Sequence, residues 1–251
     1  MSPIQAITFD MGDTLVDLGE GRGDYEARVI VRAGLVYDAL AARGVRLPPR
    51  DHFCRELAHH SEARYQAALM DLRGIAIYDV LSWFLPRVDV PADDGLVRVA
   101  GEAFYQHGGG EGPPLRAGAR DVLQALRDHG CRLGVISNTL QPGAIAQAGL
   151  ARRGLLDFFH TCIYSSEVQA AKPHPAIFRA ALEALGVRPE CTWHVGDRLI
   201  ADVQGAQSVG MKAVLIEVAH RSEDARADIV PDVRIQELPE LLDALSFRVR
   251  T

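Results

Sequence analysis

Four short stretches hold residues whose types and spacing could do chemistry together. Asp10, Gly12 and Asp13 stand in FDMGDTL, Ser137 and Asn138 in VISNT, Lys172 in AAKPHPAIF, and Asp197 and Asp202 in HVGDRLIAD. Asp10, Asp197 and Asp202 offer hard carboxylate oxygens that suit Mg²⁺, which takes few carboxylates and fills its other positions with water and substrate phosphate. The Ser137 hydroxyl, the Asn138 amide and backbone N–H groups at helix starts can hold phosphate oxygens. Lys172 can neutralise charge on a phosphoryl group and on an attacking carboxylate. A carboxylate beside Mg²⁺ and a lysine can attack phosphorus, giving an aspartyl-phosphate that water hydrolyses. Taken singly, each stretch has a plainer reading. Ser-Asn is common turn chemistry, Lys before Pro is usually a solvated face, and Asp after Gly is often a helix N-cap.

The elements around these residues bring them to one place. β-rich runs occur at IQAITF (4–9), RLGVIS (132–137), TCIYS (161–165), TWHV (192–195) and KAVLI (212–216), with helical patterns over 117–129, 142–152, 175–185 and 201–209. Such alternation predicts an α/β fold, a doubly wound parallel sheet with helices on both faces. Ligands in these sheets bind beyond the carboxyl ends of the strands, near the switch point. All four stretches fall at that edge, and a helix is expected to begin just after Lys172, at Pro173.

Residues 24–107 have a different texture. Tyr25, Val29, Ala33, Val36, Tyr37 and Leu40 recur at spacings of three or four, the apolar stripe of a helix, with Asp24 as its N-cap and Glu26 in its first turn. A second helix is expected over 51–71 with Phe53, Leu57, Tyr65, Ala68 and Leu69 inward. Val80, Leu81, Phe84 and Leu85 mark a third, and Leu96, Ala100, Ala103 and Phe104 a fourth that stops at GGGEGPP (108–114). The pattern predicts a small helical bundle.

Composition sets outer bounds. With 251 residues, 48% of them hydrophobic, the chain can build one large core or a core plus a smaller domain. A formal net charge of −6 argues against nonspecific nucleic-acid binding, which needs a basic surface. No apolar run approaches the roughly 20 residues that span a bilayer. MSPIQAITFD has no basic n-region and only a short apolar run, so it does not read as a signal peptide. Cys54, Cys131, Cys162 and Cys191 are scattered, without a CxxC pair, and read as reduced thiols of a cytoplasmic protein.

FDMGDTL, VISNT, AAKPHPAIF and HVGDRLIADVQGAQSVGM, in that order and together with PPLRAGARDVLQALRDHG, resemble the haloacid dehalogenase (HAD) superfamily. The resemblance implies a Rossmann-like hydrolase core over 1–18 and 112–251, with an all-helical cap and its hinges over 19–111. Such caps close over the site, exclude water and contact the leaving group. It further implies that Asp10 is nucleophile and metal ligand, that the Gly12 carbonyl and Asp197 complete the protein's ligands to Mg²⁺, and that Asp202 supports them. Ser137 would bind phosphoryl oxygens with Asn138 nearby, and Lys172 would orient Asp10. The implied activity is Mg²⁺-dependent hydrolysis of a small phosphorylated metabolite.

One position departs from the family pattern. HAD phosphatases usually carry a second Asp two residues after the nucleophile, as DxDxT, to protonate the leaving oxygen and activate water. Here Gly12 holds that place and Asp13 follows, while Thr14 and Leu15 keep theirs. Asp13 is a candidate acid–base, although neighbours in an irregular turn point differently. Three readings stay open. One is a phosphatase lacking that group, or using Asp13 or water. Another is a 2-haloacid dehalogenase, which needs no such acid but is metal-independent, against the intact GDRLIAD. The last is a HAD-fold binding protein, against which the joint retention of Asp10, Lys172 and Asp197 counts. His59 and His60 are adjacent on a predicted helix and cannot share a face. His174 beside Lys172 is either a group approaching the site or the usual polar residue of a KPHP-type segment. Trp83, Phe84 and Tyr78 read as core packing before a lining of the cap's substrate face, and Gly108 to Gly110 as a hinge or a loop.

Overall fold

The structure, a computed structural model, describes residues 4–19, 25–106, 113–218 and 228–245. Among these residues six parallel strands form one sheet: β1 (Ala6–Phe9), β2 (Arg132–Ser137), β3 (Thr161–Tyr164), β4 (Thr192–Gly196), β5 (Lys212–Ile216) and β6 (Val233–Ile235), in the order β3-β2-β1-β4-β5-β6. The chain winds outward from β1 to β3, then returns to place β4 directly beside β1. That reversal is the switch point, and it opens a crevice at the carboxyl ends of β1 and β4. Thr8 pairs with Gly134 on one side and His194 on the other.

Between β1 and β2 the chain makes α1 (Tyr25–Ala41), α2 (Arg50–Met70), α3 (Ile77–Phe84) and α4 (Asp94–Phe104). Their apolar stripes meet in a cluster of their own, built on Val36, Leu40, Phe53, Leu57, Leu81, Phe84 and Phe104. Tyr65, Leu69 and Leu96, expected inward, are half-buried, while Val97 is buried. The cluster continues onto Leu140 and Ile145 beyond β2, so this insertion packs against the sheet domain. Asp24, the side chain of Glu26, and Gly108 to Gly110 lie outside the described residues.

Alternation along the strands divides the rest of the core. Ile7, Phe9, Leu133, Val135, Val195 and Val214 face α5 (Ala119–Asp128) and α6 (Gly143–Arg152). After β3 comes α7 (Ser165–Val168), a single turn, then α8 (Pro175–Leu185). Ile136, Ala213 and Leu215 point to the opposite face, against Ile177 and Phe178 of α8 and Val203. The helix past Lys172 begins at Pro175 rather than Pro173, with His174 as N-cap accepting from Ala176 N at 3.1 Å. Proline at the first helical position loses no hydrogen bond, which favours that start.

The helix expected over 201–209 is a π-helix, Leu199–Gln204, running into the short α9 (Gly205–Gln207). A wider turn of this sort commonly marks a functional position. β6 and the closing α10 (Glu240–Leu245) carried no strand or helix signal recognised in the sequence. β6 is three residues long with an exposed Arg234 at its centre, too brief for an alternating pattern. The four cysteines are free thiols, and no helix among the described residues is long and apolar enough to cross a membrane.

Candidate active site

β1 delivers Asp10 into the crevice, its N–H still bonded to the Val195 carbonyl of β4 at 2.8 Å. A tight turn follows, closed by Leu15 N–H and Val16 N–H on the Met11 carbonyl and by Asp13 N–H on the Val16 carbonyl. Asp13 takes a left-handed conformation there, with φ 57°. Glycine favours that region, and Asp is among the few other residues that enter it at modest cost. Gly12, by contrast, does not adopt a positive φ. Residues 12 and 13 therefore stand in the reverse order of what the backbone alone would ask. The buried Asp13 carboxylate accepts from Leu18 N–H at 3.0 Å, and its carbonyl accepts from the Arg116 guanidinium at 3.0 Å. Its visible bonds hold the turn.

Lys172 stands between two carboxylates. Its ammonium is 2.5 Å from Asp10 Oδ1 and 2.6 Å from Asp202 Oδ1, and the Lys172 side chain is 3% exposed. Asp202 comes from the π-helix, where its Oδ2 also accepts from Arg198 N–H at 2.9 Å. Gly196 makes room for it, since a Cβ there would lie 2.2 Å from Asp202 Cγ. Asp10, Asp197 and Asp202 each bring one carboxylate oxygen within 4.8 Å of the others. This is a hard-oxygen cluster in which carboxylates outnumber the lysine ammonium. Such an excess of buried negative charge fits a divalent cation.

The two acids on Lys172 are pushed apart in acidity. Burial raises the Asp10 pKa, with Lys172 opposing and the like charge of Asp202 adding to it. Burial acts the same way on Asp202, but Lys172 and His194 overcome it and hold that carboxyl well below the usual range. For Lys172, burial acts to lower the pKa, and the attraction of Asp10 and Asp202 outweighs it to give a net rise. The Lys172–Asp202 pair is thus kept charged by its partners despite its burial.

The β2 end supplies Ser137, Asn138 and Thr139. Ser137 is buried at the last position of the strand. The Asn138 carboxamide exchanges two hydrogen bonds with the Lys172 backbone, donating to its carbonyl at 3.0 Å and accepting from its N–H at 2.8 Å. Asn138 thereby clips the lysine loop to β2. His174 caps α8, His59 is exposed, and His60 packs beside Trp83 with ring centroids 5.0 Å apart. None of the three joins the carboxylate cluster.

Two residues of the site were not singled out by sequence. His194 and Thr8 are wholly buried on neighbouring strands, with His194 Nε2 3.2 Å from Asp202 Oδ1 and its Nδ1 2.9 Å from the Thr8 hydroxyl. The available signal was polarity at inward positions of two central strands, where apolar residues are the rule. TWHV reads as a strand by composition, and that reading hides its histidine.

The family model for haloacid dehalogenase-like hydrolases matches residues 4–210. The chain belongs to this family. A glyceraldehyde 3-phosphate phosphatase from Pyrococcus furiosus is 30% identical over 252 residues, 98% of this chain and 94% of that protein. Another so named, from Methanopyrus kandleri, is 40% identical over 127 residues, 49% of this chain and 53% of that protein. The crystal structure of a HAD phosphatase from Thermococcus onnurineus aligns with a TM-score of 0.60 at 29% identity, over 98% of this chain and 100% of that one. This HAD hydrolase is an enzyme with the Rossmann-like core of its family. The four motifs read from sequence follow β1, β2, β3 and β4, which lie side by side in the sheet as β3-β2-β1-β4.

Proposed function

We propose that this HAD hydrolase is a Mg²⁺-dependent phosphatase acting on a small phosphorylated metabolite through an aspartyl-phosphate on Asp10. The observation that carries the reading is Asp10 itself, buried at the switch point, held by Lys172 and clustered with Asp197 and Asp202. In this reading Asp10, the Gly12 carbonyl and Asp197 hold the metal, with Asp202 supporting. When bound, Mg²⁺ supplies charge neutralisation for the phosphoryl oxygens and the carboxylates.

The chain's own residues account for the rest. Lys172 fixes the Asp10 carboxylate, Ser137 holds a phosphoryl oxygen, and Asn138 keeps the lysine loop in place. The free oxygen of Asp10 attacks phosphorus, the ester P–O bond breaks, and the alcohol departs after taking a proton. Water then attacks the same phosphorus, breaking the acyl-phosphate P–O bond, releasing inorganic phosphate and restoring the carboxylate. Asp13 Oδ1 is engaged by the Leu18 N–H, which favours water as the carrier of the proton to the leaving oxygen. The α1–α4 insertion serves as the cap. The nearly full-length likeness to a glyceraldehyde 3-phosphate phosphatase supports a short phosphorylated carbon chain as substrate. A metal-independent dehalogenase would not need the three-carboxylate cluster to hold a cation.

The test is turnover of para-nitrophenyl phosphate with and without Mg²⁺, followed by glyceraldehyde 3-phosphate and other short phosphate esters. Mg²⁺-dependent release that disappears in Asp10→Asn is the expected result. Activity surviving that substitution, or halide release from a 2-haloacid without phosphate release, overturns the reading.

A further inference from the structure

Beneath the catalytic carboxylates lies an unbroken line of polar atoms inside an otherwise apolar sheet. It runs from the Thr8 hydroxyl to His194 Nδ1 at 2.9 Å, from His194 Nε2 to Asp202 Oδ1 at 3.2 Å, then from that oxygen to Lys172 Nζ at 2.6 Å and on to Asp10 Oδ1 at 2.5 Å. Thr8 and His194 are 0% exposed, and the Phe178 ring stands edge-on to the imidazole at 5.3 Å between centroids. Burying an imidazole and a hydroxyl costs free energy unless both are bonded. An apolar pair would have filled the same space, as Ile136, Ala213 and Leu215 do around it.

The direction of the bonds follows from valence. Both oxygens of Asp202 already accept, Oδ1 from the Lys172 ammonium at 2.6 Å and Oδ2 from the Arg198 N–H at 2.9 Å, so the carboxylate acts as acceptor and His194 Nε2 carries the hydrogen. A neutral imidazole then has Nδ1 as acceptor, and the Thr8 hydroxyl must donate to it. That hydroxyl also lies 3.4 Å from the Trp193 carbonyl, but the imidazole nitrogen at 2.9 Å is the better partner. Asp202, which only accepts, thus selects the tautomer, and the Thr8 hydroxyl supports it by donating to Nδ1. In that tautomer Asp202 receives a third donor besides Lys172 and the Arg198 N–H.

We propose that His194, held in its Nε2–H tautomer between Asp202 and Thr8, is a positioning residue that sets the place of Asp202 and so aims Lys172 at the nucleophile Asp10. This deepens the phosphatase reading and rests on it for the kinetic part. His194 touches neither substrate nor metal; it acts through Asp202. Asp202 Oδ1 is shared between imidazole and ammonium. Losing the imidazole frees that carboxylate to swing toward Lys172 and draw the ammonium off Asp10.

Two amide substitutions separate positioning from packing. In His194→Gln the side-chain amide reaches the place of Nε2 and keeps a donor on Asp202, whereas His194→Asn reaches only the place of Nδ1. With para-nitrophenyl phosphate and saturating Mg²⁺, His194→Asn is expected to lower kcat by about 10–100-fold, the usual scale for a lost supporting bond. KM should change little, and His194→Gln should restore most of the rate. Thr8→Val should lower kcat several-fold alone and add nothing in the His194→Asn background, because both act through one bond. Equal losses in the two amide variants, or multiplying losses for Thr8 and His194, overturn the proposal.

The tautomer is read independently of any variant's folding, from the imidazole ¹⁵N shifts of the intact protein. A neutral ring protonated at Nε2 is expected, and a ring protonated at Nδ1 refutes the relay. If the wild-type protein turns over no phosphate ester, the phosphatase reading fails, while the ¹⁵N shifts still decide the relay.

Discussion

At the scale of single residues, Gly12 and Asp13 show a conflict between backbone and chemistry. The turn wants a left-handed residue at 13, and the family's acid–base position is 12, yet the chain places Asp at the first and Gly at the second. A Cβ on Gly12 would lie 2.9 Å from Leu18 Cδ1, the end of a flexible side chain that is partly exposed and can turn away. Gly12→Asp is therefore expected to fold, and to raise turnover of alkyl phosphates with poor leaving groups by up to about 10²-fold. Activated aryl phosphates should gain little, since their leaving group needs no acid. Adding Asp13→Gly removes a left-handed Asp at the cost of the Leu18 N–H bond. The double variant should stay within about 1 kcal/mol of Gly12→Asp by denaturant melt. A fall of about 10²-fold on the same alkyl phosphates in Asp13→Ala alone would instead assign the acid role to Asp13.

At the scale of elements, the α2–α3 turn is where the helical insertion meets the site. Leu72, left-handed with φ 54°, offers its carbonyl to Ala171 N–H at 3.0 Å, next to Lys172. Ile77 N–H donates to the Leu140 carbonyl at 2.9 Å, and a Cβ on Gly74 would lie 1.6 Å from the Ser165 carbonyl oxygen. No rotamer relieves a clash between a Cβ and backbone. Gly74→Ala should push the insertion off the lysine loop and lower kcat/KM by about 10²-fold. The sheet domain should hold its own hydrogen-exchange protection; unchanged kcat/KM would mean the contact does not matter to turnover.

The outer edge of the sheet offers a second element-scale test. Asp232 precedes β6 and ties it to β5, accepting from Lys212 Nζ at 2.6 Å, Ala213 N–H at 3.0 Å and Gln207 at 3.2 Å. Burial acts to raise its pKa, and these donors, Lys212 first, overcome it and lower it from 3.8. A depressed folded-state pKa means stability that is present above the unfolded value and lost as pH falls through the folded one. Asp232→Asn should thus cost about 1 kcal/mol at neutral pH. The gap to wild type in urea melts should narrow as pH drops below the unfolded value near 4. A gap independent of pH would remove the charge from the explanation.

At the scale of the molecule, a cation held by Asp10, Asp197 and Asp202, as proposed, would couple folding to metal binding. A ligand that binds only the folded state stabilises it by about 2.7 kcal/mol at a hundredfold excess over its Kd. Mg²⁺ should therefore raise the Tm by roughly 5–10 °C for a chain of this size, and chelator should reverse it. The rise should shrink in Asp197→Asn; a Tm indifferent to Mg²⁺ in the wild type would argue against the metal site.

Sequence alone determined a good deal here. Strand–helix alternation gives a parallel sheet, and strand-end polarity marks its functional edge, because both follow from local periodicity and burial. Asp10, Lys172, Asp197 and Asp202 were legible as one cluster since each follows a central strand, at its end or within a short helix and loop of it. Only the tertiary structure decided which atoms meet. It turned Asp13 toward Leu18, set Asn138 on the Lys172 backbone, and joined Thr8, His194 and Asp202 from two strands and a π-helix into one line. Such contacts depend on strand register and on the width of a helical turn, and neither is written in the spacing of residues along one segment.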